Sequence, residues 1–176
     1  MSGLSDEFAA FVRSHSRSLY GTAFMLTGSA HEAEELVQDT LAALFPKWST
    51  VALADFPVAY VRRALINRFV SGRRRALAHP QASWNVDEHA AGPDVAEAAT
   101  DRRLLIGLLA ELPERQRAAL VMRYVHDAPD AEIAAALGCR TATVRSLASR
   151  GLALMRARLT QNQAISSGAG REGGAA

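Results

Sequence analysis

Arginine and hydroxyl side chains are concentrated in residues 131–151, AEIAAALGCRTATVRSLASRG. An arginine guanidinium can bind a phosphate or a guanine edge through two parallel hydrogen bonds, and a hydroxyl can both donate and accept. Apolar-periodic segments lie on both sides of Gly138, which predicts a helix that ends at the glycine and a second helix capped by Thr141. The pattern predicts a helix-turn-helix whose second helix enters the major groove of DNA.

The second helix of this pair has two chemically different sides. Its apolar side consists of Val144, Ala148, Gly151, Leu152, Met155 and Leu159. Its other side carries Ala142, Ser146, Ser149 and Ala153, flanked by Arg145 and Arg150. A helical hairpin that only closes a core would also need a polar face. Residues 140–160 contain five arginines and no acidic residue, however, whereas an ordinary surface helix mixes both signs, and this favours DNA binding.

A second basic block lies in residues 60–75, YVRRALINRFVSGRRR, which contain six arginines and no acidic residue. Val61, Leu65 and Phe69 fall on one side at helical spacing. The polar stripe and its margins consist of Arg62, Arg63, Asn67, Ser71, Arg73 and Arg74. Such a stripe can hold a DNA backbone while the asparagine reads a base. A solvated arginine face, or a basic patch for RNA or an anionic membrane, stays open as the alternative.

Both basic blocks need helices to position them, and nearly every periodic segment of the chain has helical spacing. The sequence therefore predicts an all-α fold with two small helical domains and a flexible linker. The first domain covers residues 6–75, and Ser29 and Glu32 form a capping-box pattern at the start of its second helix. The other predicted segments are an acidic linker over 76–101, a helix-turn-helix domain over 102–160 and a disordered tail over 161–176.

Composition excludes several classes of protein. The 176 residues carry a formal net charge of +2 and one cysteine, Cys139, so an internal disulfide is impossible and zinc-finger spacing is absent. No phosphate-binding glycine loop, metal-ligand spacing or catalytic triad order occurs, and Glu34 and Glu35 are adjacent on a helix and point in different directions. We therefore expect no enzyme activity, no cofactor and no metal. The polar N-terminus and the lack of a long apolar run predict a cytoplasmic protein without membrane insertion.

Three stretches together resemble one known family. They are AEELVQDTLAALFPKW, FPVAYVRRALINRFVSGRRR and LPERQRAALVMRYVHDAPDAEIAAALGCRTATVRSLASRGLALMR. In this order they are similar to the bacterial extracytoplasmic-function (group IV) sigma factors, with residues 8–75 resembling region 2 and residues 102–159 resembling region 4. The resemblance implies promoter-specific initiation of transcription, with core RNA polymerase and promoter DNA as partners and an anti-sigma factor as a further candidate.

The resemblance also implies which residues bind. The last helix would read the minus-thirty-five element through Arg140, Thr143, Arg145, Ser146, Ser149 and Arg150. The helix of the second basic block would read the minus-ten element through Arg62, Arg63, Asn67, Arg73 and Arg74. The acidic helix would bind the clamp helices of the largest polymerase subunit through Glu34, Glu35, Gln38 and Asp39. An acidic edge suits a basic partner surface.

Some positions depart from the family pattern. Ala142 and Leu147 replace a usual glycine and arginine, and Asp130 stands where an aromatic residue is common, which predicts an altered promoter preference. The resemblance places the loop 48–56 where the family captures a flipped promoter base, but for Trp48 and Phe56 themselves we expect core positions. The alternative function is a stand-alone helix-turn-helix regulator, which would need a dimerisation helix or a ligand pocket that the first domain does not clearly offer.

Overall fold

The computed structural model describes residues 2–76 and 93–169, with side chains described for residues 3–72 and 100–164. Within these ranges all regular structure is helical, which confirms the all-α prediction. The helices are α1 (Ser2–Thr27), α2 (Ala30–Leu44), α3 (Trp48–Ala52), α4 (Pro57–Ala76), α5 (Pro93–Ala110), α6 (Glu114–Leu120), α7 (Asp130–Leu137) and α8 (Thr141–Ala169). A 3-10 turn (Phe45–Lys47) joins α2 to α3, and a π-helical turn (Val121–Val125) follows α6.

The N-terminal domain is built from α1, α2 and α4, with the short α3 filling the corner before α4. Gly28 adopts a φ of 74° and ends α1, and Ser29 then caps α2 by accepting a hydrogen bond from the Glu32 backbone N–H at 3.4 Å. The predicted Ser29 cap is therefore confirmed, but the reciprocal bond of a capping box is replaced, because the Ser29 N–H donates to Thr27 Oγ1 at 3.4 Å. Pro46 stops the α-helical pattern by forming the 3-10 turn.

The helix-turn-helix is present as α7, a tight turn and α8. Gly138 has φ 59° and ψ 47°, a left-handed conformation that suits glycine, and the Cys139 N–H donates to the Ala134 carbonyl at 3.0 Å. The predicted cap at Thr141 is wrong by one residue. The Arg140 carbonyl accepts from the Val144 N–H at 3.2 Å, so Arg140 holds the cap position and Thr141 is the first helical residue.

Three predicted irregular segments are partly helical. Helix α5 begins at Pro93, inside the range expected to be linker, since proline is well suited to a first helical turn and alanines follow it. Helix α8 continues to Ala169, inside the range expected to be a disordered tail. The predicted loop 48–56 contains α3. The remaining linker residues 77–92 and the tail residues 170–176 lie outside the described part of the chain.

The buried core is continuous from the first domain to the second. Leu19, Leu65 and Ile66 are fully buried on the N-terminal side, and Val121 and Ile133 on the C-terminal side. Helix α4 packs against both α6 and α7, and α1 packs against α5 and α6. The two domains thus share a packed interface in this conformation. No helix in the described ranges has the length and apolar character needed to cross a bilayer.

Candidate nucleic-acid interface

The polar side of α8 is open to solvent. Its apolar side packs on α6 and α7, with Val144 and Ala148 fully buried and Gly151 so close to Leu120 that an added Cβ would lie 2.9 Å from the leucine Cδ1. The predicted burial pattern is therefore confirmed. The exposed residues on the other side are Arg140, Thr143, Arg145, Ser146, Ser149 and Arg150. The fold brings all six predicted minus-thirty-five residues onto one accessible surface.

One acidic residue stands beside this arginine surface. The Asp130 Oδ2 accepts a hydrogen bond from Arg145 Nε at 3.0 Å, and its Oδ1 accepts from Arg123 Nη2 in the π-helical turn. The hydrogen bond from Arg145, reinforced by the one from Arg123, holds the pKa of Asp130 below its ordinary value. The carboxylate therefore stays ionised at neutral pH.

Leu147 has a different role from the exposed residues around it. It is half-buried and packs against the core of the helix-turn-helix, so no charge projects from this position. The departure from the family pattern therefore removes one cationic group from the α8 surface.

The polar stripe on α4 is only partly open. Val61 and Leu65 are fully buried and Phe69 is nearly so, which confirms the predicted apolar side. Arg63 and Asn67 are exposed, and Ser71 Oγ donates to Asn67 Oδ1 at 3.1 Å. The predicted residues Arg73 and Arg74 belong to the last turn of α4, and their side chains lie outside the described ones.

The second domain covers part of this stripe. Arg63 Nη2 donates to the Ala135 carbonyl of α7 at 3.2 Å. Arg62 is half-buried, and its Nε has no hydrogen-bond partner among the described residues. Burial lowers the pKa of Arg62, while the nearby Glu132 carboxylate acts in the opposite direction. The first turns of α4 thus face α7 rather than bulk solvent.

Two further contacts cross between the domains, and sequence reasoning missed both. The buried Arg117 donates from Nη1 to the Leu26 carbonyl of α1, and its guanidinium carbon lies 5.8 Å from the Phe69 ring centroid. His126 Nε2 lies 3.0 Å from Thr22 Oγ1. No local pattern marks these residues, because their partners are 91 and 104 positions away in the chain.

We call this set of contacts the interdomain seam. It consists of Thr22, Leu26, Arg62, Arg63 and Phe69 from the N-terminal domain with Arg117, His126, Glu132 and Ala135 from the C-terminal domain.

The environment of His126 favours its neutral form. The Thr22 hydroxyl donates to the Ser18 carbonyl at 3.0 Å, so the histidine Nε2–H is the donor to Thr22 Oγ1. Burial, together with the charge of Arg62, lowers the pKa of His126 to about 4. Protonation of this ring therefore opposes closure of the interdomain seam.

The acidic edge of α2 is exposed. All four predicted polymerase-binding residues are solvent-accessible: Glu34, Glu35, Gln38 and Asp39. Asp39 pairs with Arg68 of α4 at 3.0 Å, and Glu35 pairs with His31 at 3.4 Å. A groove of about 700 Å³ runs between α2 and α4 beside these carboxylates, with Leu36 among the residues that line it. This surface offers apolar and acidic groups to a partner.

The two aromatic residues of the 48–56 segment behave differently. Trp48 is 3 % exposed and packs edge-on against Phe8 with ring centroids 5.0 Å apart, which confirms its core position. Phe56 is 76 % exposed, so its predicted core position is wrong. It lies in the short connection before Pro57 opens α4, next to Leu53, which is 87 % exposed. The tip of this connection presents two apolar side chains to solvent.

Within the described ranges, no group of three or more His, Cys, Asp or Glu side chains is arranged to hold a metal ion.

Comparisons with known proteins agree for both domains. Residues 11–77 match the family model for sigma-70 region 2, and residues 102–155 match the model for sigma-70 region 4. The RNA polymerase sigma-E factor of Streptomyces coelicolor is 31 % identical over 153 residues, covering 87 % of this chain and 86 % of the relative. The RNA polymerase sigma-E factor of Streptomyces avermitilis is 33 % identical over 154 residues, covering 87 % of this chain and 85 % of the relative.

The fold also matches a solved structure. The sigma factor RpoE from Bartonella quintana, crystallised in complex with the anti-sigma factor NepR, superposes with a TM-score of 0.69 at 24 % identity, covering 88 % of this chain and 97 % of that one. At this identity the likeness concerns the fold. Matches to both sigma regions do not favour a stand-alone regulator. The chain belongs to the sigma-70 family of RNA polymerase sigma factors, in its extracytoplasmic-function group, and serves promoter-specific initiation of transcription.

Proposed function

We propose that this sigma factor holds one promoter at two points, with the polar side of α8 on the minus-thirty-five element and the polar stripe of α4 on the minus-ten element. The observation that carries the proposal is the α8 surface, where the arginines and hydroxyls face solvent and the apolar residues face the core. Small residues along its centre, Ala142 and Ala153, let the helix approach the floor of a major groove.

The acidic edge of α2 provides the contact with core polymerase. Its carboxylates are exposed and lie beside a groove of mixed polar and apolar lining, and exposed carboxylates suit a basic partner helix. The chemistry of RNA synthesis then belongs to the polymerase, and this chain acts in the cytoplasm as its promoter-selecting subunit. By likeness to the crystallised relative, an anti-sigma factor is a further partner.

Phe56 contributes to strand opening. An unpaired base extruded from the minus-ten duplex loses several kcal/mol of stacking. An exposed aromatic ring beside the polar stripe of α4 offers a new stacking surface for such a base.

Two-point binding requires the interdomain seam to open. Promoter elements about two helical turns apart are separated by roughly 70 Å, whereas α4 and α7 are in contact in the closed conformation. The predicted linker of residues 76–101 would reach roughly 80 Å if extended, so the chain is long enough to span both elements. Residues 93–101 of this linker belong to α5. Either they lose their helical conformation, or the width of the two domains covers the rest of the distance between the promoter elements.

The seam is suited to reversible opening. Closure removes Arg62 from water without giving its Nε a hydrogen-bond partner among the described residues, which costs about 1–3 kcal/mol for a buried donor. A DNA phosphate would provide the missing acceptor. Promoter DNA therefore competes directly with α7 for the first turns of α4.

Arg150→Ala tests the assignment of α8. We expect the variant holoenzyme to bind a cognate promoter roughly 5- to 100-fold more weakly, the range for loss of one arginine contact to a base or phosphate. Association with core polymerase should not change. Arg13→Ala is the matched control, because it removes the same charge from an exposed position on α1.

Purified core polymerase, the sigma factor and a promoter fragment suffice for this experiment. Transcripts should begin at the promoter only when all three are present. If Arg150→Ala instead abolished binding to core polymerase and left promoter selection intact, the roles of the two domains would be misassigned. DNA binding that needed no polymerase would support the stand-alone regulator.

A further inference from the structure

Asp130 is the first residue of α7 and links three elements of the helix-turn-helix domain. One carboxylate oxygen accepts from Arg123 in the π-helical turn, and the other accepts from Arg145 on the exposed side of α8. Asp130 and Arg123 are each about one quarter exposed, whereas the Arg145 side chain is 74 % exposed. The Asp130 carboxylate is thus held by the partly buried Arg123 and contacts the solvent-exposed guanidinium of Arg145.

This geometry engages the Nε side of the Arg145 guanidinium and leaves its terminal nitrogens available. The hydrogen bond to Asp130 engages Nε, and it is the only hydrogen bond that the Arg145 side chain makes with described residues. The two terminal Nη groups of Arg145 make no hydrogen bond with described residues, so their N–H donors stay available to a ligand. Two parallel N–H donors of this kind match the O6 and N7 acceptors of guanine in the major groove.

The ion pair contributes little to folding. Exposed pairs of this kind usually add little to folding stability, because solvent screens the attraction and both side chains lose freedom. The loss of freedom nevertheless matters for recognition. A flexible arginine must be ordered when it binds, which lowers its affinity about two- to tenfold, and a side chain that is already held avoids part of this loss.

We infer that Asp130 is a positioning residue for minus-thirty-five recognition: it orients Arg145 so that the terminal guanidinium nitrogens meet a base edge, and its charge discourages Arg145 from turning to the nearest phosphate. This inference rests on the proposed role of α8. Asp130 does not itself touch DNA. Its removal therefore lowers sequence discrimination more than it lowers total affinity.

Asp130→Asn tests the inference, since asparagine has nearly the same shape and no charge. Holoenzymes carrying the wild type or Asp130→Asn are compared on two promoter fragments. One has a minus-thirty-five sequence selected from a randomised pool by the wild-type holoenzyme, and the other has that element scrambled. We expect the ratio of the two affinities to fall about three- to tenfold, the size of the ordering cost of one flexible side chain. Affinity for the scrambled fragment should stay equal or rise, because a negative charge near DNA has been removed.

Two further variants separate the possible causes. Asp127→Asn removes a neighbouring exposed carboxylate at a left-handed position, φ 49°, where asparagine is well tolerated, and it should leave the ratio unchanged. Arg145→Ala should lower the ratio as well, and adding Asp130→Asn to it should have no further effect. A fall in both affinities by the same factor would indicate a structural role and overturn the inference.

These variants also test separately the binding role of Arg145 and the positioning role of Asp130. If Arg145→Ala leaves the ratio unchanged, the assignment of Arg145 to the minus-thirty-five element fails. If Arg145→Ala lowers the ratio while Asp130→Asn does not, the assignment stands and the positioning role of Asp130 is wrong.

Discussion

At the scale of single residues, Phe56 is exposed at a place where no structural need explains it. The ring is 76 % exposed in the connection before α4, and Trp48 fills the neighbouring core position. A nucleic-acid base that stacks on an aromatic side chain gains about 1–3 kcal/mol of binding free energy. The proposed role of Phe56 in strand opening would provide this stacking partner for the exposed ring.

Phe56→Ala should therefore impair promoter opening without weakening the fold. We expect open complexes to become roughly 5- to 100-fold less populated, as loss of one base-stacking contact implies. The free energy of unfolding should change by no more than about 0.5 kcal/mol, since the side chain makes little contact with the protein. Permanganate reactivity of minus-ten thymines measures the first quantity, and urea unfolding measures the second.

Tyr124→Ala is the control for this experiment, because Tyr124 is an aromatic residue 61 % exposed on the other domain. It should leave both quantities unchanged. A normal open complex with Phe56→Ala would mean that the exposed ring has no part in strand separation.

The burial of a single residue was predictable where that residue belonged to a helical repeat of apolar side chains. Val144 and Ala148 were correctly predicted as buried because both lie on one helical stripe with several other apolar residues. Phe56 was not, because an isolated aromatic residue in a connection has no periodicity, and hydrophobic character alone does not distinguish a core residue from an exposed one. The same limit applies to Leu147, which is half-buried and packs against the core although it lies off the predicted apolar side of α8.

At the scale of elements, we expect the contact between His126, which follows the π-helical turn, and Thr22 of α1 to be sensitive to pH. His126 has a folded pKa of about 4, lowered mainly by burial and also by Arg62, against an ordinary value of 6.5. Its neutral form is thus favoured in the folded protein. The resulting stability is fully present above pH 6.5 and is lost as the pH falls from 6.5 towards 4, because the unfolded chain takes up a proton that the folded chain does not.

The free energy of unfolding by urea should therefore fall between pH 7 and pH 5. We expect His126 to account for a loss on the order of 1 kcal/mol, discounted for its partial exposure to solvent. The carboxylate of Asp130 does not titrate in this window, because its pKa lies below 3.8. His126→Asn keeps an N–H donor for Thr22 and should remove this part of the pH dependence.

His31→Asn is the matched control, because His31 is exposed on α2 and pairs only with Glu35 among the described residues. It should leave the free energy of unfolding at pH 7 within about 0.5 kcal/mol of the wild-type value, as is usual for a surface substitution. Equal pH dependence in the wild type and His126→Asn would show that the buried ring does not determine the acid sensitivity of the fold.

Element boundaries were predictable where a local chemical signal marked them. The Ser29 cap and the left-handed Gly138 were both found from sequence, since a capping hydroxyl and a glycine after an apolar repeat act within a few residues. The start of α5 and the length of α8 were not. Both segments are rich in alanine and polar residues without an apolar stripe, so composition indicated a linker and a tail where the chain is in fact helical.

At the scale of the whole molecule, the interdomain seam joins two domains that each carry an arginine-bearing surface proposed to bind DNA. Its polar contacts connect residues up to 104 positions apart, and no pattern in the sequence predicts such pairs. The seam leaves the α8 surface open but covers the first turns of α4. In the closed conformation the α8 surface and the acidic edge of α2 are therefore accessible, while the polar stripe of α4 is partly covered.

The central claim is that the two arginine-bearing surfaces separate to hold distant points on one duplex. Ser71 on α4 and Ala135 on α7 line the same cleft, of about 250 Å³, when the seam is closed. Spin labels on Ser71→Cys and Ala135→Cys, in a Cys139→Ser background, report the distance between the surfaces by double electron–electron resonance. The labelled protein must first be shown to support transcription with core polymerase.

We predict a short label-to-label distance in the free protein and a distance of several tens of ångströms, up to about 70 Å, in the holoenzyme–promoter complex. A transcriptionally competent complex in which the short distance persists would contradict the account, because α4 and α8 could not then occupy separate promoter elements.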